Sequence, residues 1–136
     1  MPSAAGRTLG DASRAARLLI VEDELLIAWS LQEALAAAGH EVVSIARFAA
    51  EAVAEAVAEA PDLVVMDVNL GRGGDGVDAA TRIRQDRDVP VLYVTAYRDD
   101  RTLRRVADAT PGAQVLAKPL APGELETAVA RILGDR

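Results

Sequence analysis

Four short stretches of this chain carry groups suited to phosphoryl or metal chemistry: Glu22-Asp23-Glu24, Asp67 with Asn69 two residues on, Thr95-Ala96-Tyr97, and Lys118-Pro119. Carboxylates held within a few Å repel and raise one another's pKa unless a cation neutralises them. A donor set of oxygens, without His or Cys, selects a hard ion, and Mg2+ takes one or two carboxylates, keeps waters and binds phosphoryl oxygens. An Asp beside that ion can attack phosphorus and form an aspartyl phosphate. Such transfer needs charge stabilisation on the equatorial oxygens from the ion, an ammonium and a hydroxyl or backbone N–H. Lys118 and Thr95 supply the last two.

Plainer readings stand beside these. Acids at 22–24 also suit the start of a helix, where the dipole favours negative charge. Asp67 alone could cap a strand end, and Thr95 could simply pack in a β-branched strand. Lys118 is the single lysine among 15 basic residues, a compact point charge in a chain that otherwise uses Arg. His40 follows Gly39 and reads as a turn residue, Met66 reads as core, and Arg101, Arg104 and Arg105 read as a solvated helix face. Trp29 lies off the face of Ile27 and Leu31, which makes it a candidate anchor for a partner's helices, with partial core burial as the alternative.

The elements that must position these groups follow from hydrophobic period. β-Branched or apolar runs at 17–21, 41–45, 63–67, 89–95 and 113–118 alternate with amphipathic stretches, the pattern of a parallel α/β sheet flanked by helices. Most runs are apolar throughout, as strands covered on both faces are. The helical stretches offer Ile27, Leu31, Ala34, Leu35 and Ala38 before Gly39; Val53, Ala56, Val57 and Ala60 before Pro61, with Glu51, Glu55 and Glu59 outside; a short helix over 76–84; Leu103, Val106 and Ala107 after an Asp cap; and Leu125, Ala128, Val129 and Ile132. In open sheets of this kind the binding crevice lies at the carboxyl ends of the strands, where the four stretches fall.

Composition narrows the classes. A chain of 136 residues fits one domain, and a net charge of −6 with pI about 4.7 argues against nucleic acid or an anionic membrane as partner. Absence of cysteine removes disulfides and thiolate sites and makes the cytoplasm the expected compartment. No apolar run approaches a membrane span. Residues 1–16 read as a flexible tail without a secretory apolar region. The five strand–helix units fill 17–133, so no output domain is expected.

With "LLIVEDE", "LVVMDVNL" followed by "DG", "VLYVTAY" and "VLAKPL" in order, residues 17–133 resemble the receiver domain of bacterial response regulators, here of the single-domain kind. The resemblance implies a flavodoxin-like doubly wound sheet of order 2-1-3-4-5 and a two-component signalling role rather than an enzyme's. It implies that Asp67 accepts a phosphoryl group from a sensor histidine kinase or histidine phosphotransfer protein. Asp23 and Asp67 would ligate Mg2+ directly with the backbone carbonyl of Asn69, and Glu22 through water. Lys118 would grip the phosphoryl group and Thr95 would move toward it. The downstream target is a protein of unknown identity, and homodimerisation is open. The Thr-Ala-Tyr run with "DVNLG" looks most like an alphaproteobacterial subgroup.

The chain departs from the common receiver pattern in three places. Glu22 replaces the first Asp, Val115 stands where many receivers carry a switch aromatic, and "LGRGGDG" is richer in glycine than the usual turn. Tyr97 is the candidate to take over the switch role. The spacing G-x-G-x-x-G at Gly71, Gly73 and Gly76 fails as a dinucleotide fingerprint, because the strand before it ends in Asp67 and the next ends in Thr95 rather than an acid. The glycines are read instead as permitting a tight turn beside the site. Two other functions compete: a receiver-fold interaction module that signals without phosphorylation, and a Mg2+-dependent phosphatase. The phosphatase pattern usually carries a general-acid Asp two residues after its nucleophile, a position held here by Asn69.

Overall fold

The computed structural model describes residues 15–134; the expected tail lies outside them up to residue 14. Five strands, β1 (Arg17–Val21), β2 (Glu41–Ala46), β3 (Leu63–Met66), β4 (Val91–Thr95) and β5 (Val115–Ala117), alternate with five helices. The helices are α1 (Leu25–Ala37), α2 (Ala49–Glu59), α3 (Gly76–Asp86), α4 (Asp100–Ala109) and α5 (Glu124–Gly134). All strand pairings are parallel, in the spatial order β2-β1-β3-β4-β5. The order reverses between β1 and β3, so their carboxyl ends open a crevice between them.

The sheet separates two apolar layers. On one face, Leu19, Val21, Val64, Met66 and Tyr93 meet α2, α3 and α4 through Ala52, Ala56, Val77, Ile83 and Val106. On the other, Leu18, Ile20, Val65, Leu92 and Val94 meet α1 and α5 through Ala28, Leu31, Leu35, Leu125, Val129 and Leu133. β1, β3 and β4 are almost completely buried, which is why their sequences show no polar alternation.

Some expected faces are rotated. Val57 is 65% exposed and Ala60 leaves α2 in a left-handed conformation, while Ala49, Ala52, Val53 and Ala56 face the core. The smaller alanine stripe lets α2 approach the sheet closely. On α4, Ala107 is exposed and Ala109 packs instead. Ala16, expected in the tail, is buried, donates its N–H to His40 Nδ1 at 3.1 Å and accepts from the Glu41 N–H at 2.9 Å. His40 is thereby a structural acceptor, and burial holds its pKa below the ordinary value.

Candidate functional site

β1 ends in a buried Val21 and delivers Glu22 and Asp23 to the crevice; β3 ends at Met66 and delivers Asp67. The strands are registered at that point by the Asp67 N–H donating to the Val21 carbonyl at 3.0 Å and the Glu22 N–H donating to the Ala46 carbonyl at 2.9 Å. One carboxylate oxygen from each of Glu22, Asp23 and Asp67 lies within 4.8 Å of the others. Lys118, just past β5, reaches across the crevice and donates from Nζ to Glu22 Oε1 at 2.6 Å and to Asp67 Oδ2 at 2.9 Å. Residues separated by up to 96 positions therefore meet at one ammonium.

The electrostatics are unbalanced. Three carboxylates face one ammonium. Glu22, 1% exposed, is pushed up to about 7 by burial first; the charge of Asp67 adds to this, and its bonds from Lys118 and the Glu24 N–H resist it. For Lys118, burial pulls the ammonium down, yet its bonds to Glu22 and Asp67 outweigh that and leave its pKa raised. Among the described residues no ion pair engages the Asp23 carboxylate, so its oxygens remain available. The donor set is all oxygen, carries excess negative charge and has a free carboxylate, which fits a hard divalent cation such as Mg2+.

The loop after Asp67 is built on local hydrogen bonds. Asn69 donates its N–H to Asp67 Oδ1 at 3.2 Å and accepts the Gly71 N–H on its side-chain oxygen at 2.8 Å. Leu70 is buried, and the chain turns through a 3-10 turn over Gly71–Gly73 before Asn69 bridges back to Asp75. Gly71 and Gly74 adopt left-handed φ of +60° and +109°. Gly76 serves a different need: a Cβ there would stand 1.9 Å from the Asp67 carbonyl oxygen. The glycines thus permit close approach as well as turning, a requirement set by tertiary contacts that spacing alone does not reveal.

Thr95 is fully buried at the end of β4, and its Oγ1 accepts the Tyr97 N–H at 3.0 Å. Its carbonyl accepts the Lys118 N–H at 3.0 Å, tying β4 to the lysine. Tyr97 is 54% exposed. Trp29 is 53% exposed on α1, and a groove of about 750 Å³, which it does not line, runs between α1 and the loop after β5, lined in part by Leu26, Ile27, Lys118 and Leu120.

Sequence reasoning missed three contributors. Asp75 caps α3, accepting from the N–H groups of Val77 and Asp78, a role that an Asp before a helical run signals in principle. Arg105, expected to be solvated, instead pairs with Asp75 at 2.8 Å, because α4 packs on α3 and brings its inner edge over that cap. Tyr93 is completely buried and shares a 2.8 Å hydrogen bond with Thr110 at the end of α4. No helix among the described residues is long and apolar enough to cross a membrane.

Residues 18–130 match the model of the response regulator receiver domain. The chain is 35% identical over 130 residues to the phyllosphere-induced regulator PhyR of Methylorubrum extorquens, across 95% of this chain and 47% of that protein. It is 40% identical over 122 residues to the transcriptional regulatory protein PdtaR of Mycobacterium tuberculosis, across 90% of this chain and 58% of that one. The chain thus spans about half the length of these curated relatives. Among solved structures, the receiver domain of the PhyR response regulator from Erythrobacter litoralis superposes with a TM-score of 0.77 at 34% identity, across 88% of this chain and 91% of that one.

Proposed function

The chain belongs to the response regulator receiver domain family, and from that premise we propose that it is a phosphorylation-controlled module in which Asp67 accepts a phosphoryl group from a histidine kinase or a histidine phosphotransfer protein. The observation that carries this reading is Lys118 Nζ held between Glu22 Oε1 and Asp67 Oδ2, with the free carboxylate of Asp23 beside them.

A carboxylate oxygen of Asp67 attacks phosphorus in line, and the P–N bond to the donor imidazole breaks with its electron pair returning to that nitrogen. Lys118 is already at Asp67 and follows the negative charge onto the transferred phosphoryl oxygens. Thr95 keeps a hydroxyl proton to donate while its oxygen accepts from Tyr97. Glu22, Asp23, Asp67 and the Asn69 carbonyl would hold Mg2+, which supplies charge neutralisation at the phosphoryl oxygens when bound.

Phosphorylation favours a second arrangement of Thr95, Tyr97 and α4 that exists beforehand as a minor state, and this changes which proteins the domain binds. Exposed Leu26 and Trp29 on α1 offer an apolar contact for the donor's helices. The acidic charge supports protein partners over nucleic acid.

The test is intact mass after incubation with a small acyl phosphate, with and without Mg2+, for the native chain and for Asp67→Ala. One Mg2+-dependent phosphoryl adduct, absent in the variant, is expected. No adduct at any time point would replace this reading with a receiver-fold interaction module that works without phosphorylation.

A further inference from the structure

β2 contributes no acid to the crevice, yet its end touches the Glu22-Asp23 segment and the glycine loop that follows Asp67. The Ala46 carbonyl takes the Glu22 N–H at 2.9 Å. The next residue, Arg47, turns its guanidinium onto the main chain of Asp23, with Nε and Nη2 donating to the Asp23 carbonyl at 3.3 and 3.2 Å. The Arg47 carbonyl faces the glycine loop, so closely that a Cβ on Gly73 would come within 2.8 Å of it. A Cβ on Gly71 would stand 3.3 Å from Asp23 Oδ2. The Arg47 main chain is held in turn, since its backbone N–H donates to Glu51 Oε1 at 2.7 Å in the first turn of α2.

We propose that Arg47 is a positioning residue for the cation site, setting the Asp23 main chain so that its carboxylate stands beside those of Glu22 and Asp67. This rests on the reading that these acids hold Mg2+. The choice of bond is informative. Lys118 binds the carboxylates of Glu22 and Asp67 and so shares the oxygens a cation would use. Arg47 takes the Asp23 carbonyl instead, which orients the side chain while leaving both of its oxygens free. A planar fork delivers two N–H groups to one carbonyl, a geometry that an ammonium on a flexible stem does not reproduce.

Arg47 is exposed, and exposed polar pairs add little to global stability, so the positioning role separates from folding. Mg2+ is titrated calorimetrically into the native chain, Arg47→Ala and Arg47→Lys, and thermal unfolding of each is followed without metal. The expected result is an affinity about tenfold weaker in Arg47→Ala, the scale seen when a group that orients a metal ligand is removed, with metal-free unfolding shifted by only about 2–4 °C. Arg47→Lys falls between the two. The Mg2+ concentration for half-maximal adduct formation should rise in step, while the rate at saturating Mg2+ recovers. Unchanged affinity in Arg47→Ala, or full recovery in Arg47→Lys, overturns the proposal, the second by assigning the effect to charge alone. Failure of the native chain to bind Mg2+ would remove the underlying reading and this inference with it, an outcome distinct from native binding with an unaffected variant.

Discussion

The guanidinium of Arg105 on α4 lies 2.8 Å from Oδ2 of Asp75, whose Oδ1 caps α3 by accepting from the N–H groups of Val77 and Asp78. Asp75 also bridges back to Asn69, two residues from Asp67. One residue therefore joins the loop after Asp67, through its main chain, to the start of α3 and the helix proposed to move on phosphorylation, through its carboxylate.

The two halves of that link separate by mutation. Arg105→Ala removes part-exposed ion pairs to Asp75 and Asp78 and should cost about 0.5 kcal/mol. Asp75→Ala removes the cap as well and should cost about 1–2 kcal/mol. Asp75→Asn keeps an oxygen for the cap and should resemble Arg105→Ala. Denaturant melts order the three, and equal costs for both Asp75 variants would mean that the cap contributes nothing.

Glu22 gives the metal-free domain a distinctive pH profile. Its folded pKa of about 7 stands above the unfolded value of 4.5, so between these limits the native state binds more protons than the unfolded one. The sign follows: the Glu22 contribution is fully present below pH 4.5 and is lost as pH rises through about 7. Native protein should lose at most about 3 kcal/mol relative to Glu22→Gln across that window. Lys118 does not interfere, because its raised pKa moves its own loss of charge further above 10.5. Chemical denaturation of both proteins from pH 4.5 to 8 checks this, and parallel profiles would remove the burial argument for Glu22.

Gly76→Ala should be the most damaging of the glycine substitutions. Its Cβ would overlap the Asp67 carbonyl at 1.9 Å, which only movement of the main chain can relieve. Gly39, at φ +96° with open space around it, pays for backbone conformation alone. The expected losses are about 3 kcal/mol or more for Gly76→Ala and about 1 kcal/mol for Gly39→Ala. Thermal melts of the two variants decide, and a Gly76→Ala protein as stable as Gly39→Ala would contradict the close approach.

These residues show what the sequence could and could not carry. β1, β3 and β4 were legible because a strand buried on both faces is largely apolar until the layer ends, and the polar residues at 22–24, 67, 95 and 97 mark the crevice rim. Lys118 stood out as the one lysine. The face of α2 was ambiguous because Val53 and Ala56 belong equally to a stripe with Val57 and to one with Ala52, and only packing against the sheet and α3 selects the second. No local pattern singled out Arg47, and Arg105 read as part of a solvated helix face. Their partners, Asp23 and Asp75, lie on other elements at distances that no local pattern encodes.

The proposed switch rests on a hydrogen bond two residues long. Thr95 Oγ1 accepts the Tyr97 N–H at 3.0 Å, so any movement of that hydroxyl toward a phosphoryl group pulls on the backbone that carries an exposed tyrosine into α4. Val115, half-buried against the core, lacks the ring that would otherwise follow the hydroxyl. Thr95→Val keeps the branched shape and removes both the acceptor and the donor, leaving the Tyr97 N–H without its partner; Thr95→Ser restores them. Adduct formation on Asp67 should then shift the Tyr97 amide resonance in the native chain and in Thr95→Ser, and leave it nearly unmoved in Thr95→Val, where the adduct also forms more slowly. An equal shift in Thr95→Val would take the relay away from Thr95. The remaining connection from Asp67 to α4 would then run through Asn69, Asp75 and Arg105, and Arg105→Ala would be the variant that silences Tyr97.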